Sequence, residues 1–596
     1  MRLLANPSPI VIKSFTRGCI IPLKIKIIMM KYILYLLLFY SIFFNYGCTT
    51  SRESQKVKLP ERGELKAPGQ AEATGLVSYN VKVELGELSV NDDLRNSANK
   101  FYGNRDFHLA WFGYDQSLQN RKDLIQAIDN ASAEGMDPKI YGYTKLKQLE
   151  QKIEGIDDKD LVTPEIYKEA DLFFTLAYIK FLEDMYYGMV RPTNVESTWE
   201  VMDKPALRTH VILENALTSN KISESIKDQR PKEQQYIALK DKLKELKIAR
   251  DKGGWDLPTQ TGVYEEGDTS RKVVQIKKYL FQVGDLKGFD PSNYTYDENL
   301  TKAVERFQER HGLKTDGIVG GQTYEEMRKS IDERIKTIKI NLEREKWQDR
   351  QDRDEYICVN LPSYLLHYYK DGSEKLKSKV IIGEIEHYTP VLKDTLEYIV
   401  FSPRWNVPRS IFIDELLPKI LEDPNFLDKN NFAVYQGRDK ADIDLARLDS
   451  TEVKARYLRL VQESGPGNAL GSMKFIFPNN RSIYLHDTPT KYLFDTPQRT
   501  YSHGCVRVAR PVELALDLLE NNDEVTWENI NELRTLEKPK RIYLDRKVLV
   551  KFLYQTAFVD DNGKLNFRED IYGIDKQQEL VQFNQDRLSR SLAMIK

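Results

Sequence analysis

Cysteine and histidine are scarce, with four of the first and seven of the second in 596 residues. The cysteines, at 19, 48, 358 and 505, are too few for a disulfide framework and too scattered for a four-thiolate zinc site. Each has to be explained singly. An excess of basic charge is also missing, since 89 Lys and Arg face 90 Asp and Glu. Proteins that work on phosphate backbones normally carry such an excess, so no nucleic-acid partner is expected. The apolar stretch near the N-terminus, Tyr32–Phe44, has only 13 residues. As a helix it rises ~20 Å, short of the ~30 Å needed to span a bilayer. What is present is ordinary globular composition, 41% hydrophobic and 30% charged, which excludes wholesale disorder. The length calls for about four compact units.

The short apolar stretch suits a signal peptide, with Lys24, Lys26 and Lys31 as its basic flank and translation starting at Met29 or Met30. Gly47-Cys48 at its end resembles a bacterial lipoprotein cleavage site. That resemblance implies that Cys48 becomes the lipidated first residue, and that residues 1–48 are a signal segment. An uncleaved signal anchor is the alternative. Both place the rest of the chain outside the cytoplasm, in the cell envelope facing the periplasm and held to a membrane. Residues 49–79 are polar and read as a disordered tether.

The chain beyond reads as a multidomain α+β protein. Residues 80–262 carry helical signals: Leu124, Ile128 and Ala131 at three- and four-residue spacing, a largely buried helix over 172–182, and a Lys-rich helix striped by Leu239, Leu243 and Leu246. Nothing in this α-helical scaffold looks catalytic. Residues 268–330 form a small three-helix unit, with stripes Val274/Ile276/Leu280/Phe281 and Leu300/Ala303/Val304/Phe307 and a third helix near Thr323. A linking helix over 331–353 follows. The period then changes to short β-rich runs over 354–545, a mainly-β domain interrupted at 405–465 by a Pro-punctuated, partly helical insertion. Long connections of this kind are usually functional, and a cap over a site is the natural expectation. Residues 546–596 are a C-terminal extension.

The chemistry concentrates in His486-Asp487-Thr488-Pro489 and Tyr501-Ser502-His503-Gly504-Cys505-Val506-Arg507-Val508. A cysteine attacks as thiolate, so its pKa of ~8.5 has to be lowered by a nearby imidazole or cation. Read as a strand, 503–508 puts His503, Cys505 and Arg507 on one face and Val506 and Val508 on the other. Gly504 lets a substrate carbonyl approach, with the N–H groups of Gly504 and Cys505 as an oxyanion hole. His486 and His503 as a metal pair lack a third and fourth ligand at zinc-like spacing, so no metal and no cofactor are expected. His108, His210, His311, His367 and His387 lack such company and read as structural. Cys358 reads as a small buried hydrophobe; its disulfide with Cys505 would silence the nucleophile. Trp405, Pro408 and Pro418 read as packing.

A histidine followed after fifteen residues by Ser-His-Gly-Cys-Val-Arg-Val resembles the active-site motif of the L,D-transpeptidases with a YkuD-type catalytic domain. The segments "TPVLKDTLEYIVFSPRWNVPRSI" and "GPGNALGSMKFIFPN" resemble the longer YcbB-like members, and "AVERFQERHGLKTDGIVGGQT" resembles a three-helix peptidoglycan-binding domain. The resemblance implies a YkuD-like β-sandwich. It implies that Cys505 is the nucleophile, that His486 takes its proton while held by a neighbouring carbonyl, and that His503 supports the oxyanion side. Ser502, Gly504 and Arg507 shape the site. The implied substrates are peptidoglycan tetrapeptide stems on glycan strands, cross-linked 3→3 with loss of D-Ala, with other cell-wall synthesis proteins as further partners. The rivals are an L,D-carboxypeptidase or endopeptidase hydrolysing the same bond, and a non-catalytic lipoprotein tethering peptidoglycan.

Overall fold

The computed structural model describes residues 80–82, 92–113, 117–155, 163–196, 199, 204–259, 262–348, 354–445 and 450–583. The expected signal segment with Cys48, and the tether at 49–79, lie outside the described residues.

The first helical core is built around Pro164–Tyr187. Proline at the first helical position has no N–H to leave unpaired, and Gly188, at φ 90°, ends the helix. The helix is apolar almost all round, and such helices sit at the centre of a bundle. Asp92–Gly103, Ser117–Asp129, Tyr143–Glu154 and Thr209–Ser219 surround it. The Lys-rich helix Gln234–Asp251 packs elsewhere. Its Leu239, Leu243 and Leu246 meet Ile331, Ile335, Ile338 and Leu342 of the linking helix, Ile331–Trp347. The expected 80–262 scaffold therefore holds two packing units.

Arg271–Gln282, Glu298–Arg310 and Gly321–Met327 make the three-helix unit. The first of these starts behind the Ser270 cap and turns Val273, Ile276 and Leu280 inward. The expected Val274 is half-buried instead, and Phe281 is exposed. Gln308 clamps the Asp316-Gly317 turn: its Oε1 accepts from Gly317 N at 2.9 Å and its Nε2 donates to Ile318 O at 2.9 Å.

The linking helix buries a run of charge. Glu343, Arg344, Glu345 and Lys346 are all buried. Arg344 pairs with Asp575 at 2.7 Å and donates to Tyr554 O, while Glu343 accepts from Val190 N and Glu345 from Gln555. This one helix thereby bolts the helical region to the C-terminal segment. Losing one partner of such a pair strands a charge and costs about 3–5 kcal/mol.

The mainly-β domain contains β1 (Glu355–Asn360), β2 (Leu365–Lys370), β3 (Ser373–Gly383), β4 (Leu392–Phe401), β5 (Trp405–Asn406), β6 (Phe432–Gln436), β7 (Asp439–Lys440), β8 (Leu458–Gln462), β9 (Met473–Ile476), β10 (Leu485–His486), β11 (Thr500–Ser502), β12 (Val506–Val508) and β13 (Lys540–Leu553). Nine of these run in the order β11-β3-β12-β10-β9-β4-β13-β1-β2, and β2 also pairs with β3, so the sheet closes on itself. Ile357, Val380, Ile399, Phe475, Leu485, Val506 and Val550 fill the inside. β5 to β8 form a separate antiparallel sheet within the 405–465 insertion, in the order β5-β8-β6-β7. That insertion has its own core around Phe412, Leu417, Ile420 and Leu460.

The expected boundary at 545 needs correction, because β13 runs straight through it. The pairing of β13 with β4 slips between Tyr543 and Val548, and the polar run Asp545-Arg546-Lys547 sits at that irregularity. Charge at a bulge reads as a strand end, yet the strand resumes and pairs with β1 in parallel. The hairpin β14 (Ala557–Val559) and β15 (Leu565–Phe567), with the helix Ile574–Gln582, then packs on the linking helix.

Candidate active site

The site grows from two short parallel strands. β10 lies beside β12 with Leu485 opposite Val506 and His486 opposite Arg507. Alternation sends Leu485 and Val506, both fully buried, into the core. Tyr484, His486, Cys505 and Arg507 therefore share the other face. β9 pairs on the far side of β10 with Lys474 opposite His486. Tyr484 and Lys474 are the functional neighbours that sequence reasoning missed. The signal for Tyr484 was available as the same two-residue period that marks His486.

His486 is held by its own neighbour, as the resemblance implied. Its Nδ1 lies 2.5 Å from Asp487 O, a carbonyl that can only accept, so Nδ1 carries the proton and Nε2 is left as the acceptor. Asp487 is itself locked. Its carboxylate accepts from Ser472 N and Oγ at 2.8 and 2.7 Å, from Thr488 N at 2.7 Å, and from Lys491. Burial pushes the Asp487 carboxyl up, but Lys491 and Ser472 outweigh it and keep it low. Gly471 is required here: at φ 60°, a Cβ would stand 2.5 Å from Asp487 Cγ.

Cys505 Sγ faces the carbonyl of Ser482 at 3.7 Å and the hydroxyl of Tyr484. Ser482 sits in the left-handed region at φ 56°, held by Asn479, whose side chain bonds both the N–H and the carbonyl of Ile483. Burial pushes the Cys505 thiol up to about 11, against the pull of Tyr484, Lys474 and Arg507. Burial, with Arg507 second, pushes the His486 imidazole down to about 3. The resting pair is thus neutral thiol and neutral imidazole, and proton transfer has to accompany attack. Arg507 donates to Tyr501 O at 3.3 Å, while its buried Nε has no hydrogen-bond partner among the described residues.

The segment before Cys505 departs from the expected strand. β11 ends at Ser502 and β12 starts at Val506, with Gly504 at φ 105° turning the chain between them. His503 therefore leaves the Cys505 face. Its Nε2 lies 2.8 Å from Glu415 of the capping insertion and 3.9 Å from Glu384, and its ring is 5.0 Å from that of His387. His387, expected to lack company, has it. The expected oxyanion pair also changes, because Gly504 N donates to Ser502 Oγ at 3.2 Å, which leaves Cys505 N–H as the backbone donor. Ser502 Oγ in turn donates to Cys505 O at 2.5 Å, so this buried hydroxyl staples the turn that presents the sulfur. Cys358 and Cys505 are both free thiols, and burial raises Cys358 to about 12.

Residues 354–526 match the model of the YkuD L,D-transpeptidase catalytic domain, residues 269–327 that described as "Putative peptidoglycan binding domain", and residues 96–243 that of a scaffold domain. A protein of Haemophilus influenzae named "Putative L,D-transpeptidase" is 35% identical over 240 residues, which is 40% of this chain. The chain spans about half, 48%, of that relative's length. Crystal structures of L,D-transpeptidases from Stackebrandtia nassauensis and Xylanimonas cellulosilytica align at 14% identity. They cover half of this chain and 97% and 100% of their own, with TM-scores of 0.21 and 0.16, values too low to establish a shared fold. The mainly-β domain thus matches the YkuD L,D-transpeptidase catalytic domain over residues 354–526, and the chain joins it to a helical region matching a scaffold domain and a three-helix unit matching a peptidoglycan-binding domain.

Proposed function

We propose that the protein is a YcbB-like L,D-transpeptidase that forms 3→3 cross-links between peptidoglycan stems through a Cys505 thioester. The observation that carries this reading is the shared face of β10 and β12, which sets Tyr484, His486 and Arg507 around one cysteine. His486 Nε2 takes the thiol proton as Sγ attacks the carbonyl carbon of the diamino acid at the third position of a tetrapeptide stem. Cys505 N–H donates to the developing oxyanion, and the Arg507 guanidinium favours the thiolate. The C–N bond breaks, and D-Ala departs with the proton from His486. The side-chain amine of a second stem then attacks the thioester, the C–S bond breaks, and the amine proton returns through His486 to sulfur. No cofactor takes part. His503 supports the oxyanion side, and the capping insertion decides whether amine or water reaches the thioester.

The three-helix domain supports peptidoglycan as the partner, with glycan strands as its ligand. A lipid anchor at Cys48, holding the enzyme at the periplasmic face of a membrane, completes the reading. Cys48→Ser should then release a soluble protein, and persistent membrane attachment would favour a signal anchor. The deciding experiment incubates the chain from Gln70 on, one compact unit, with disaccharide-tetrapeptide, and weighs the products. A dimer lighter than two substrates by one free alanine, absent with Cys505→Ala, is expected. Tripeptide alone would make the enzyme an L,D-carboxypeptidase, and unchanged substrate would favour a tether.

A further inference from the structure

We propose that Glu384, His387 and His503, joined by Glu415 of the capping insertion, form a binding site for a zinc-class divalent cation that clamps the cap onto the loop carrying the nucleophile. Among the described residues this is the cluster whose donor atoms converge closely enough to hold a metal, all three lying within 4.8 Å of one another. The two imidazoles come from separate parts of the chain and approach one oxygen. His387 Nδ1 lies 3.0 Å from Glu384 Oε1, and His503 Nε2 lies 3.9 Å from it. Glu415 Oε1 adds a fourth donor, 2.8 Å from His503 Nε2.

The placement is built by the fold. Glu384 N donates to Ser502 O at 2.9 Å, which docks the start of the 384–388 loop against β11. Thr389, at the end of that loop, donates to Gly504 O at 2.8 Å. Gly383 is required for this approach, since a Cβ there would come within 2.1 Å of His387 O. The loop that carries His387 is thus tied at both ends to the turn that carries His503. Beside the cluster lies a cavity of about 240 Å³ lined by His387, His503, Gly504, Ile483 and Arg481, with room for an ion and its water.

Two imidazole nitrogens with carboxylate oxygens suit zinc and its neighbours rather than calcium or magnesium, which prefer all-oxygen shells. Zinc–ligand distances of about 2.0–2.2 Å set neighbouring donors roughly 3.4 Å apart, so the 2.8 and 3.0 Å contacts open by about half an ångström and the widest pair closes by up to about 1.4 Å. The four side chains are all about one-third to one-half exposed and have that freedom. Closure matters because Glu415 belongs to the insertion while His503 stands two residues before Cys505. An ion shared between them pins the cap over the sulfur and occupies the nitrogen that His503 would offer to substrate. The binding is independent of the transpeptidase reading, whereas the block of the nucleophile rests on it.

The test uses the full chain in detergent, freed of metal and with Cys505 reduced, dialysed against buffered Zn²⁺. One equivalent is expected to bind to the parent and equally to Cys505→Ser, with at least about tenfold weaker binding in His387→Gln and in Glu384→Gln. His367→Gln, remote from the cluster and paired with Glu374, controls for loss of any histidine. Binding lost in Cys505→Ser but kept in His387→Gln would place the ion on the nucleophile and overturn the site. So would an absence of zinc binding by the parent at 100-fold excess over the protein. In a second readout, Zn²⁺ at the lowest concentration that fills the parent should slow iodoacetamide labelling of Cys505 at least about fivefold in the parent and much less in His387→Gln. Bound zinc with unchanged labelling would overturn the clamp while leaving the mechanism around His486 intact. Melting curves of the two variants that match the parent's separate lost ligation from lost folding.

Discussion

His486 and His503 stand at opposite sides of one cysteine and live in different worlds. His486 is 4% exposed, sits on a strand, bonds a peptide carbonyl and is driven to its neutral form by burial and Arg507. His503 is about one-third exposed, sits on a turn and faces two carboxylates. One residue, Gly504, makes the difference, because its positive φ breaks the alternation that would have put His503 beside Cys505. Residue type alone therefore does not assign the base. The lesson is that a base needs a free nitrogen as well as a place near the thiol, and of these two only His486 shares the Cys505 face while its other nitrogen is held by a backbone carbonyl.

The harshest way to break the comparison is to remove the buried partner. His486→Ala should lower kcat/KM by ~10²–10⁴-fold, while His503→Ala should cost markedly less; equal losses would erase the distinction. The pH dependence comes next. With the thiol near 11 and the imidazole near 3, labelling of Cys505 should climb by roughly tenfold per unit between pH 7 and 9. A plateau from pH 6 upward would instead reveal a preformed thiolate–imidazolium pair. The same depressed imidazole makes a stability statement. The folded state binds fewer protons than the unfolded one, so this contribution is present above ~6.5 and drains away as pH falls toward 3.

Gly504→Ala should have a smaller but clear effect. The backbone there lies at φ 105°, and a Cβ would meet Ile483 Cδ1 at 3.3 Å. A strained non-glycine residue costs about 1–3 kcal/mol, so a melting temperature lowered by several degrees, with activity down about tenfold or more, is expected. An unchanged variant would show that the turn does not separate the two histidines. The mildest substitution is Tyr484→Phe, which keeps the ring against His486, 5.7 Å between centroids, and removes only the hydroxyl facing sulfur. One hydrogen bond of about 1 kcal/mol predicts a roughly fivefold loss in kcat/KM with little change in KM.

Much of this was legible in the chain because the relevant signals are local. The Ser-His-Gly-Cys run, the three-helix stripes with their Asp-Gly turn, and the change of period after 354 each depend on residues a few positions apart. The misreadings arose where local signals met distant partners. The boundary expected at 545 falls inside a strand, because β1 and β4 carry β13 through it. The stripe of Gln234–Asp251 was legible as a helix face, but its cover by the linking helix was not. His387 looked solitary because His503, whose ring lies 5.0 Å from its own, and the Glu415 that pairs with His503 lie far along the chain.

By itself, the sequence determined the element types, the candidate nucleophile and the pair of histidines from which a base would be drawn, because helix and strand periods and a short motif are written in neighbouring residues. The tertiary structure alone decided that β10 lies parallel to β12, which makes Tyr484, His486, Cys505 and Arg507 one face. It decided that Glu384, His387, His503 and Glu415 meet, and that a run of charge is buried beneath the C-terminal segment. The physical reason is the same throughout. Sheet pairing and burial are long-range: register sets which side chains touch, and desolvation sets what charge they carry once they do.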